Sequence, residues 1–558
     1  MTAIYYHPEA YTTSGSKLMG RNAAGNSFLR GFFEHYRSDG NLYAQVSGKN
    51  HFELFSNTAK KFGRTEIIKP IFSENLGSAE LAKNIYHPGP AIGEQAYNRH
   101  PLGHTKWALC GITHTTSSAF AMDAISSWIT SPVQPWDAVI CTSSSVKANV
   151  ETILQAEIEY LKDRLNIHKV VLPQLPVIPL GVHAEDFDYN TLQRDEARAS
   201  LSAKEDELIV LYTGRLSFHA KAHPLAMYQA LEVAAKESNK KVILVECGWH
   251  ANDHIQAAFS AGAELVSPNV TVIFLDGRIE KNRDIAWASA DVFCSLSDNI
   301  QETFGIVPIE AMAAGLPVIV SDWDGYKDTV RHGVDGFRIP TLAPGPGLAG
   351  DLAHRHALGI DTYDMYCGHT SSLVALHSQK LKEAFIRLFQ SKNLRLQMGE
   401  AGKLRAHQTY DWKNIIPTYE ELWSEQTNIR IAETNRLEHT SNQGKGVQNT
   451  WPARLDPTVS FAKYPTQHLT VSTHLKLTEA TAIGALEKLA IFKKLAMVNY
   501  AHYIFPTESE IATVFKTAES RLPDGCIAAD LLSGVSDERK PIVLRGLAWL
   551  CKLGLLQF

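Results

Sequence analysis

The most restrictive feature of this sequence is an alternation of short apolar segments with helical ones that continues for about four hundred residues. NLYAQV, WALCGITHT and DAVICTS are typical of strands, and SSVKANVETILQAEIEYLKDRL carries apolar residues near helical spacing. Buried strands that alternate with helices indicate parallel sheets that are covered on both faces. The pattern therefore predicts an α/β fold.

The alternation occurs in two series, which the polar segment HAEDFDYNTLQRDEARASLSAKEDE separates. The second series begins with LIVLYTGRL and continues through KVILVECG, NVTVIFLDG, ADVFCSLS and PVIVSD. We expect two facing, Rossmann-like, doubly wound domains, an N-terminal one over residues 1–195 and a C-terminal one over 196–408. Ligands of such sheets bind at the carboxyl ends of the strands, so the cleft between the domains is the expected site.

The last part of the chain has a different pattern. SEQTNIRIAETNRLEHTSNQGKGVQNT is polar and predicts a linker over 425–450, or a helix end followed by a linker. Residues 451–558 are mainly helical, and their final helix, turn and helix before LGLL are typical of a winged-helix-like module. Their charges are nearly balanced and form no basic stripe, so we expect no nucleic-acid partner. Oligomerisation or interdomain packing through this module is the preferred interpretation.

Composition restricts the function classes further. A net charge of −5 over 558 residues gives no argument for nucleic acid or acidic lipid as a partner of the whole chain. The seven cysteines are dispersed and form no CxxC pair, which favours a reducing compartment. The N-terminus lacks a charged segment followed by an apolar one, and no window approaches the roughly 20 apolar residues of a membrane span. We expect a cytoplasmic protein, with peripheral contact at the inner face of the membrane left open.

The stretch DNIQETFGIVPIEAMAAGLPVIVSDWDG, Asp298–Gly325, places one glutamate just before a predicted helix and another inside it. Amphipathic packing requires neither Glu302 nor Glu310. A carboxylate at Glu302 can accept hydrogen bonds from sugar hydroxyls, and Glu310 can accept a bidentate pair from a ribose. We therefore expect the two glutamates to hold opposite ends of one ligand.

The residues between these glutamates predict an anion site. Pro308 suits the first turn of a helix, where its missing N–H costs little. The Phe304-Gly305-Ile306 backbone then lies at the helix start, where unsatisfied N–H groups and aligned peptide dipoles favour an anion. Gly305 has no side chain that would block close approach. A diphosphate-linked sugar fits this combination.

ETFGIVPIEAMAAGLPVIVSD resembles the E-x7-E signature of the retaining glycosyltransferases of family 4, which have the GT-B fold. YTGRLSFHAKAHP resembles the GRL…K segment of that family, and VIPLGVHAEDF resembles the segment that ends its first domain. TYDWKNIIPTYEELW resembles its terminal helix, which crosses back onto the first domain, here at about residues 409–425. CGITHTTSS places His114 where the family often has a histidine at the cleft. The resemblance covers most of residues 1–425.

The resemblance implies a retaining hexosyltransferase that moves a hexose from a UDP- or GDP-sugar to an acceptor. It leaves the acceptor open among a glycan, a lipid-linked molecule, a small molecule and a protein. It implies no cofactor, and no metal is expected because cationic side chains would hold the diphosphate. The implied catalytic residues are His114, Glu302, Lys221 and Arg215. The implied donor-binding residues are Gly214, Arg215, Lys221, Glu302, Thr303, Phe304, Gly305, Ile306 and Glu310.

The sequence departs from the family pattern at three places. The gap between Arg215 and Lys221 is one residue longer than expected, and the N-terminal glycine-rich loop is represented only by Gly20, Arg21 and Gly25. A long insert, residues 342–370, contains histidine, aspartate and cysteine, and we interpret it as a functional loop at the cleft in preference to a metal site. A nucleotide-sugar epimerase of the same fold and a non-catalytic nucleotide-sugar-binding scaffold are the alternative functions.

Overall fold

The computed structural model describes residues 1–11, 20–440 and 451–558. The chain divides into two compact units, Met1–Arg454 and Leu455–Phe558. The first unit contains both of the predicted α/β domains. Within the described residues, no helix combines the length and the apolar character that crossing a membrane requires.

The first domain contains a six-stranded parallel sheet with helices on its faces. Its elements are β1 (Ala3–Tyr5), α1 (Pro8–Tyr11), α2 (Gly20–His35), β2 (Asn41–Val46), α3 (Lys49–Lys61), β3 (Ile67–Phe72), β4 (Asn84–Tyr86), α4 (Ile92–Arg99), β5 (Ala108–Thr113), α5 (Ala119–Ser126), β6 (Ala138–Cys141) and α6 (Ser144–Leu165). The strand order is β3-β2-β1-β4-β5-β6. All of these neighbouring pairs are parallel, and the β5 and β6 residues are buried throughout.

The second domain repeats this architecture. Its elements up to the last strand are α7 (Thr191–Ser200), β7 (Leu208–Thr213), α8 (Leu225–Ser238), β8 (Val242–Gly248), α9 (Asp253–Val266), β9 (Val270–Asp276), α10 (Glu280–Ser289), β10 (Val292–Ser295), α11 (Ile306–Ala313), β11 (Val318–Ser321), α12 (Tyr326–Thr329) and β12 (Gly336–Ile339). The strand order is β12-β11-β10-β7-β8-β9, and each pair is parallel. Both sheets thus have the doubly wound order in which direction reverses beside the first strand. The prediction of two Rossmann-like domains is confirmed.

The predicted domain boundary at 195/196 is wrong by a few residues. It falls inside α7, whose start is defined by a capping box between Asn190 and Gln193. Arg194 and Arg198 of this helix both pair with Asp291, which precedes β10, at 2.6 and 3.0 Å. These ion pairs attach α7 to the second domain, so that domain begins before Thr191.

The remaining elements of the first unit include the insert and three helices after it. They are β13 (Thr341–Leu342), α13 (Gly350–Ala357), α14 (Tyr363–Ser371), β14 (Ala375–Leu376), α15 (Ser378–Gln390), α16 (Lys392–Arg405) and α17 (Trp412–Thr440). A π-helical turn, Ala406–Tyr410, joins α16 to α17. Strands β13 and β14 pair antiparallel and close the base of the insert.

Helix α17 starts where the crossing helix is predicted and packs on the first domain. Trp412 contacts α2 so closely that a Cβ on Gly31 would lie 2.5 Å from its ring. Further along, the Gln426 amide donates to the carbonyls of Leu109 and Trp136 at 2.8 and 2.9 Å. Of the two alternatives for residues 425–450, a linker throughout and a helix end followed by a linker, the first is excluded for its early part, because the helix continues to Thr440. The later part, 441–450, lies outside the described residues.

The second unit, Leu455–Phe558, has its own hydrophobic core. Its elements are α18 (Pro457–Ser460), β15 (His474–Leu477), α19 (Ala482–Phe492), α20 (Ala496–Asn499), α21 (Glu508–Glu519), β16 (Cys526–Ile527), α22 (Ala528–Leu531), α23 (Lys540–Lys552) and β17 (Leu556–Gln557). β15 lies between β16 and β17 and pairs antiparallel with both. The unit is mainly helical, as predicted, and this small sheet lies beside the helix–turn–helix formed by α22 and α23.

Candidate active site

The candidate site lies at the carboxyl ends of β7 and β10, the adjacent strands where the second sheet reverses its winding. This switch point is where an open α/β sheet forms a crevice for a ligand. The chain leaves β7 at Thr213 and β10 at Ser295. Two segments therefore meet at one edge of the sheet, the 215–223 loop and the 298–302 segment.

The 298–302 segment holds the 215–223 loop through polar contacts spread along both. The Asn299 amide donates to the carbonyl of His219 at 3.0 Å. The Arg215 guanidinium donates to the side-chain carbonyl of Gln301, also at 3.0 Å. The buried Asp298 carboxyl group lies beside the His223 backbone, which partly offsets the rise in its pKa that burial causes. The prefix of the two-glutamate stretch thus shapes the loop that carries Arg215 and Lys221.

Lys221 and Glu302 complete this set with an ion pair, Nζ to Oε2, of 2.5 Å. Both side chains are mostly buried. Burial alone would raise the pKa of Glu302, but the Lys221 charge and hydrogen bonds from the Thr303 and Phe304 backbone outweigh it and lower the pKa. Glu302 is therefore ionised at neutral pH. The Thr303 N–H donates to this carboxylate at 3.3 Å, and the Phe304 backbone also favours its ionised form.

Helix α11 begins at Ile306, two residues before Pro308, which occupies its first turn. Gly305 is the N-cap residue, with φ +82, and it contributes no side-chain cap. A Cβ on Gly305 would lie 1.9 Å from Cε1 of Tyr326, so only glycine fits at this position. The first N–H groups of α11 have no capping side chain, which makes this helix start suitable for an anion.

Glu310 lies in the second turn of α11. Burial raises its pKa to about 7, and the positive charges of Arg283 and Lys221 oppose the shift. Lys221 therefore acts on both glutamates of the stretch. Arg283 lies on α10, after β9, and its guanidinium donates to the carbonyl of Gly277 at 2.9 Å.

Two further carboxyl groups next to the site have raised pKa values. Burial raises the pKa of Asp298 to about 7, and one of its carboxylate oxygens has no hydrogen-bond partner within the part of the chain that the structure describes. Burial also raises the pKa of Asp324 to about 7, and the charge of Glu302 adds to the shift. The site thus combines one ionised carboxylate with three that change protonation near neutral pH.

The first domain contacts this site through the loop after β5 and the start of α6. The Thr303 hydroxyl donates to the carbonyl of His114 at 3.2 Å. The Ser143 hydroxyl donates to Asp324 at 3.2 Å, and the Ser144 N–H donates to Asp328 at 2.6 Å. His114 therefore lies at the cleft between the domains, where the sequence places it.

The remaining residues that the sequence predicts for the site are Gly214, Phe304, Gly20, Arg21 and Gly25. Gly214, with φ +143, ends β7 beside the 215–223 loop, and Phe304 is buried against Tyr410. Gly20 and Arg21 begin α2, and their side chains lie outside the described residues. Gly25 packs against α1, where a Cβ would lie 2.3 Å from the carbonyl oxygen of Ala10. For Gly25 the structure shows a packing role.

Four residues outside the implied catalytic and donor-binding sets belong to the site: Asp298, Asn299, Gln301 and Arg283. The first three directly follow a predicted strand, and Arg283 lies in the first turn of a helix after another strand. Position at the carboxyl edge of the sheet is the signal that identifies them. Within the described ranges, no group of three or more His, Cys, Asp or Glu side chains could hold a metal ion.

The fold and the site together define a GT-B protein, with two Rossmann-like domains and a candidate ligand site on the second. Residues 193–343 match the family model described as glycosyl transferases group 1. The matched stretch includes the 215–223 loop, the 298–302 segment and both glutamates. It ends where the insert begins.

Relatives of known name support this class. An uncharacterized glycosyltransferase of Methanocaldococcus jannaschii is 28% identical over 204 residues, which are 36% of this chain and 46% of that protein. A phosphatidyl-myo-inositol mannosyltransferase of Mycobacterium leprae is 30% identical over 164 residues, which are 28% of this chain and 34% of that protein. The match thus spans less than half the length of either relative. The crystal structure of Anabaena HepE in complex with UDP has a TM-score of 0.50 at 14% identity, covering 76% of this chain and 98% of that one.

Proposed function

We propose that this protein is a retaining glycosyltransferase of family 4 that transfers a hexose from a nucleotide-diphospho-sugar without a metal ion. The observation that carries the proposal is the position of Lys221. Its ammonium pairs with Glu302 at 2.5 Å, and its charge also acts on Glu310. The loop after β7 and the two-glutamate stretch after β10 therefore meet at the switch point of the second sheet.

The proposed chemistry depends on charge that develops on the leaving nucleotide. As the glycosidic bond breaks, negative charge grows on the diphosphate and the sugar acquires oxocarbenium character. Arg215, Lys221 and the first N–H groups of α11 are fixed donors that stabilise the diphosphate charge. Glu302 and Glu310 accept hydrogen bonds from the sugar and the ribose. His114 contacts the sugar from the first domain.

Four parts of this proposal have separate grounds. Metal independence is proposed because two cationic side chains and a helix start supply positive potential at the diphosphate. Retention of configuration is proposed from the resemblance of the two-glutamate stretch to family 4. UDP is proposed as the first nucleotide to test, since the structurally similar HepE was crystallised with UDP. The acceptor is proposed to bind mostly to the first domain.

The decisive experiment is a donor panel that contains UDP- and GDP-hexoses, with nucleotide release measured in the presence and absence of EDTA. Because one relative is a phosphatidyl-myo-inositol mannosyltransferase, the acceptors include inositol, inositol phosphate and phosphatidylinositol. We expect EDTA-resistant release with at least one donor, and NMR of the product shows whether the anomeric configuration is kept. No release with any donor, together with no nucleotide binding, contradicts the proposal.

Lys221→Met tests the proposed role of Lys221 at the diphosphate. We expect kcat to fall about 100-fold or more, because a fixed donor aimed at developing charge is lost. Lys236→Met is the matched control. Lys236 also pairs with a glutamate of the second domain, Glu232, at 2.7 Å, but it lies in the last turn of α8, at the opposite edge of the sheet. Equal activity of the two variants contradicts the assignment.

Two other functions use the same site and give different results in this assay. An epimerase releases an epimerised sugar or nucleotide-sugar without transfer, which chromatography of the products detects. A binding scaffold holds the nucleotide-sugar tightly without turnover. The ion pair of Glu302 with Lys221, within the segments that resemble a glycosyltransferase, favours transfer over these two functions.

A further inference from the structure

The 342–370 insert is a folded element that is braced internally. The fully buried Asp361 carboxylate accepts two hydrogen bonds from the Arg355 guanidinium, at 2.8 and 3.0 Å, and lies 3.2 Å from Nδ1 of His369. His356 of α13 stacks on Tyr366 of α14, with ring centroids 4.2 Å apart. Asp361, His356 and His369 therefore hold the two helices of the insert together.

One face of α14 packs on the 215–223 loop. A Cβ on Gly368 would lie 3.0 Å from the Cβ of His219, so the helix backbone approaches the loop directly. The neighbouring Cys367 side chain is buried, and the charge of Arg215 acts on its thiol. The insert is thus anchored on the side of the loop that carries Arg215.

The first residue of α14 contacts the other domain. The Tyr363 hydroxyl lies 3.0 Å from the Ser117 hydroxyl and 3.4 Å from that of Thr115. These two hydroxyls are 3.3 Å apart. Residues 113–118, the last residue of β5 and its connection to α5, include His114. The second domain therefore holds this loop at two points, through Thr303 at the His114 carbonyl and through Tyr363 three residues further on.

We infer that Tyr363 is a positioning residue for transfer: its hydroxyl fixes the 113–118 loop, and with it His114, against the second domain. This inference rests on the proposed function, because it assigns Tyr363 to the same cleft. The hydrogen bonds join the domains only when they are close together. Tyr363 therefore contributes to the closed arrangement in which His114 meets the sugar, and contributes little to nucleotide binding, which lies on the second domain.

Tyr363→Phe in the full-length chain tests the inference, because it removes one hydroxyl and keeps the ring. We expect kcat for the donor found in the panel to fall about five- to tenfold, which corresponds to the loss of one or two hydrogen bonds. The Kd of UDP, measured by calorimetry, and the melting temperature should stay unchanged. Tyr366→Phe is the matched control, since Tyr366 lies on the same helix but stacks within the insert.

A double-mutant cycle with Ser117→Ala identifies the contact. If the hydroxyl pair acts as a unit, the double variant loses no more activity than Tyr363→Phe alone. The inference is wrong if Tyr363→Phe turns over like the wild type. It is also wrong if UDP affinity falls in the same proportion as kcat, or if Tyr366→Phe has an equal effect.

Hydrogen exchange gives a readout that does not need turnover. We expect the backbone amides of residues 113–118 to exchange faster in Tyr363→Phe than in the wild type, while those of 215–223 are unchanged. Unchanged exchange in 113–118 overturns the inference even if the enzyme is active. Faster exchange in a protein without turnover supports the contact and contradicts only the proposed function.

Discussion

Glu310 is the residue at which burial bears most directly on the proposed ribose contact. Its pKa is raised to about 7 by burial, although Arg283 and Lys221 lie close enough to oppose the shift. A carboxylate accepts hydrogen bonds at both oxygens, whereas the protonated acid keeps a donor in place of one acceptor. If Glu310 binds the ribose diol, the ionised form is the one that binds.

We therefore predict that UDP-glucose binds more tightly as the pH rises from 6 to 7 and that its affinity levels off by pH 8. Below the raised pKa, each pH unit costs up to about tenfold in affinity, because a proton must leave before binding. UDP-glucose is used because its doubly esterified diphosphate keeps a constant charge in this range. Calorimetry at pH 6, 7 and 8 measures the effect.

Glu310→Gln is the control for this prediction. It removes the titrating group, so the part of the pH dependence that belongs to Glu310 disappears and the affinity is low throughout. Any slope left in the variant belongs to Asp298 and Asp324, whose pKa values are also raised to about 7. An identical slope in the wild type and the variant contradicts the assignment of Glu310 to the ribose.

Among individual residues, sequence reasoning identified the charged ones that belong to a recognisable motif. Lys221 and Glu302 belong to recognisable segments, and the structure brings them into contact. Asn299 and Gln301 act through single hydrogen bonds whose partners are about eighty residues away in the chain. Tyr363 acts on the other domain. Such pairings depend on how loops meet in three dimensions, which local patterns do not specify.

Among the elements, α11 has ends that are fixed by two glycines in the left-handed region. Gly305 has φ +82 at the start and Gly315 has φ +75 just after the end. The Gly315 N–H donates to Met312 and the Leu316 N–H to Ala311, both at 2.9 Å, which closes the helix. The helix that carries Glu310 therefore has a defined length and a defined start beside Glu302.

We predict that Gly305→Ala destabilises the protein more than Gly315→Ala. Both substitutions cost about 1–2 kcal/mol, because a side chain disfavours the left-handed conformation. Only Gly305→Ala adds a clash with Tyr326, at 1.9 Å, and overpacking of this kind costs about 1–3 kcal/mol more. A Cβ on Gly315 would meet only Lys403, at 3.8 Å. Urea unfolding measures the difference.

A compensating variant checks the cause of that difference. Tyr326→Leu removes the ring that faces Gly305. In a protein that carries Tyr326→Leu, Gly305→Ala should therefore lower the free energy of unfolding by less than it does in the wild type. The effect of Gly315→Ala should be the same in both proteins. Equal destabilisation by the two glycine substitutions would show that Tyr326 does not restrict this site. UDP binding is measured in parallel, because a displaced α11 start also displaces the N–H groups that the proposed diphosphate needs.

Elements with a strong internal pattern were predicted well from the sequence. The segments LIVLYTGRL, KVILVECG and NVTVIFLDG correspond to β7, β8 and β9. Two elements were predicted less well. Helix α17 extends through a polar stretch to Thr440. Its early turns pack on α2, and this packing, which the local sequence does not show, supports the start of one continuous helix. The helices of the insert bury few apolar side chains, and ion pairs and ring stacking support them instead.

At the scale of the whole molecule, the chain consists of two units with separate cores. The core of Leu455–Phe558 is formed by its own helices and sheet, with Leu475, Phe515 and Leu547 almost completely inaccessible to solvent. A domain of roughly 100 residues is large enough to fold alone. Every residue named in the candidate active site lies in the unit Met1–Arg454. Donor chemistry and the contribution of the C-terminal unit should therefore be separable.

We predict that a chain ending at Arg454 binds UDP and turns over the donor with kcat within about twofold of the full-length protein, since every residue of the site and both sheets are retained.

The fragment 455–558 should unfold cooperatively by itself, and calorimetry of the full chain should show two transitions at the temperatures of the two fragments. Light scattering of all three proteins then assigns oligomerisation: if the full chain is a dimer and residues 1–454 are a monomer, the C-terminal unit mediates association. Loss of UDP binding in 1–454, or a fragment 455–558 without a transition, would show that the two units depend on each other for folding.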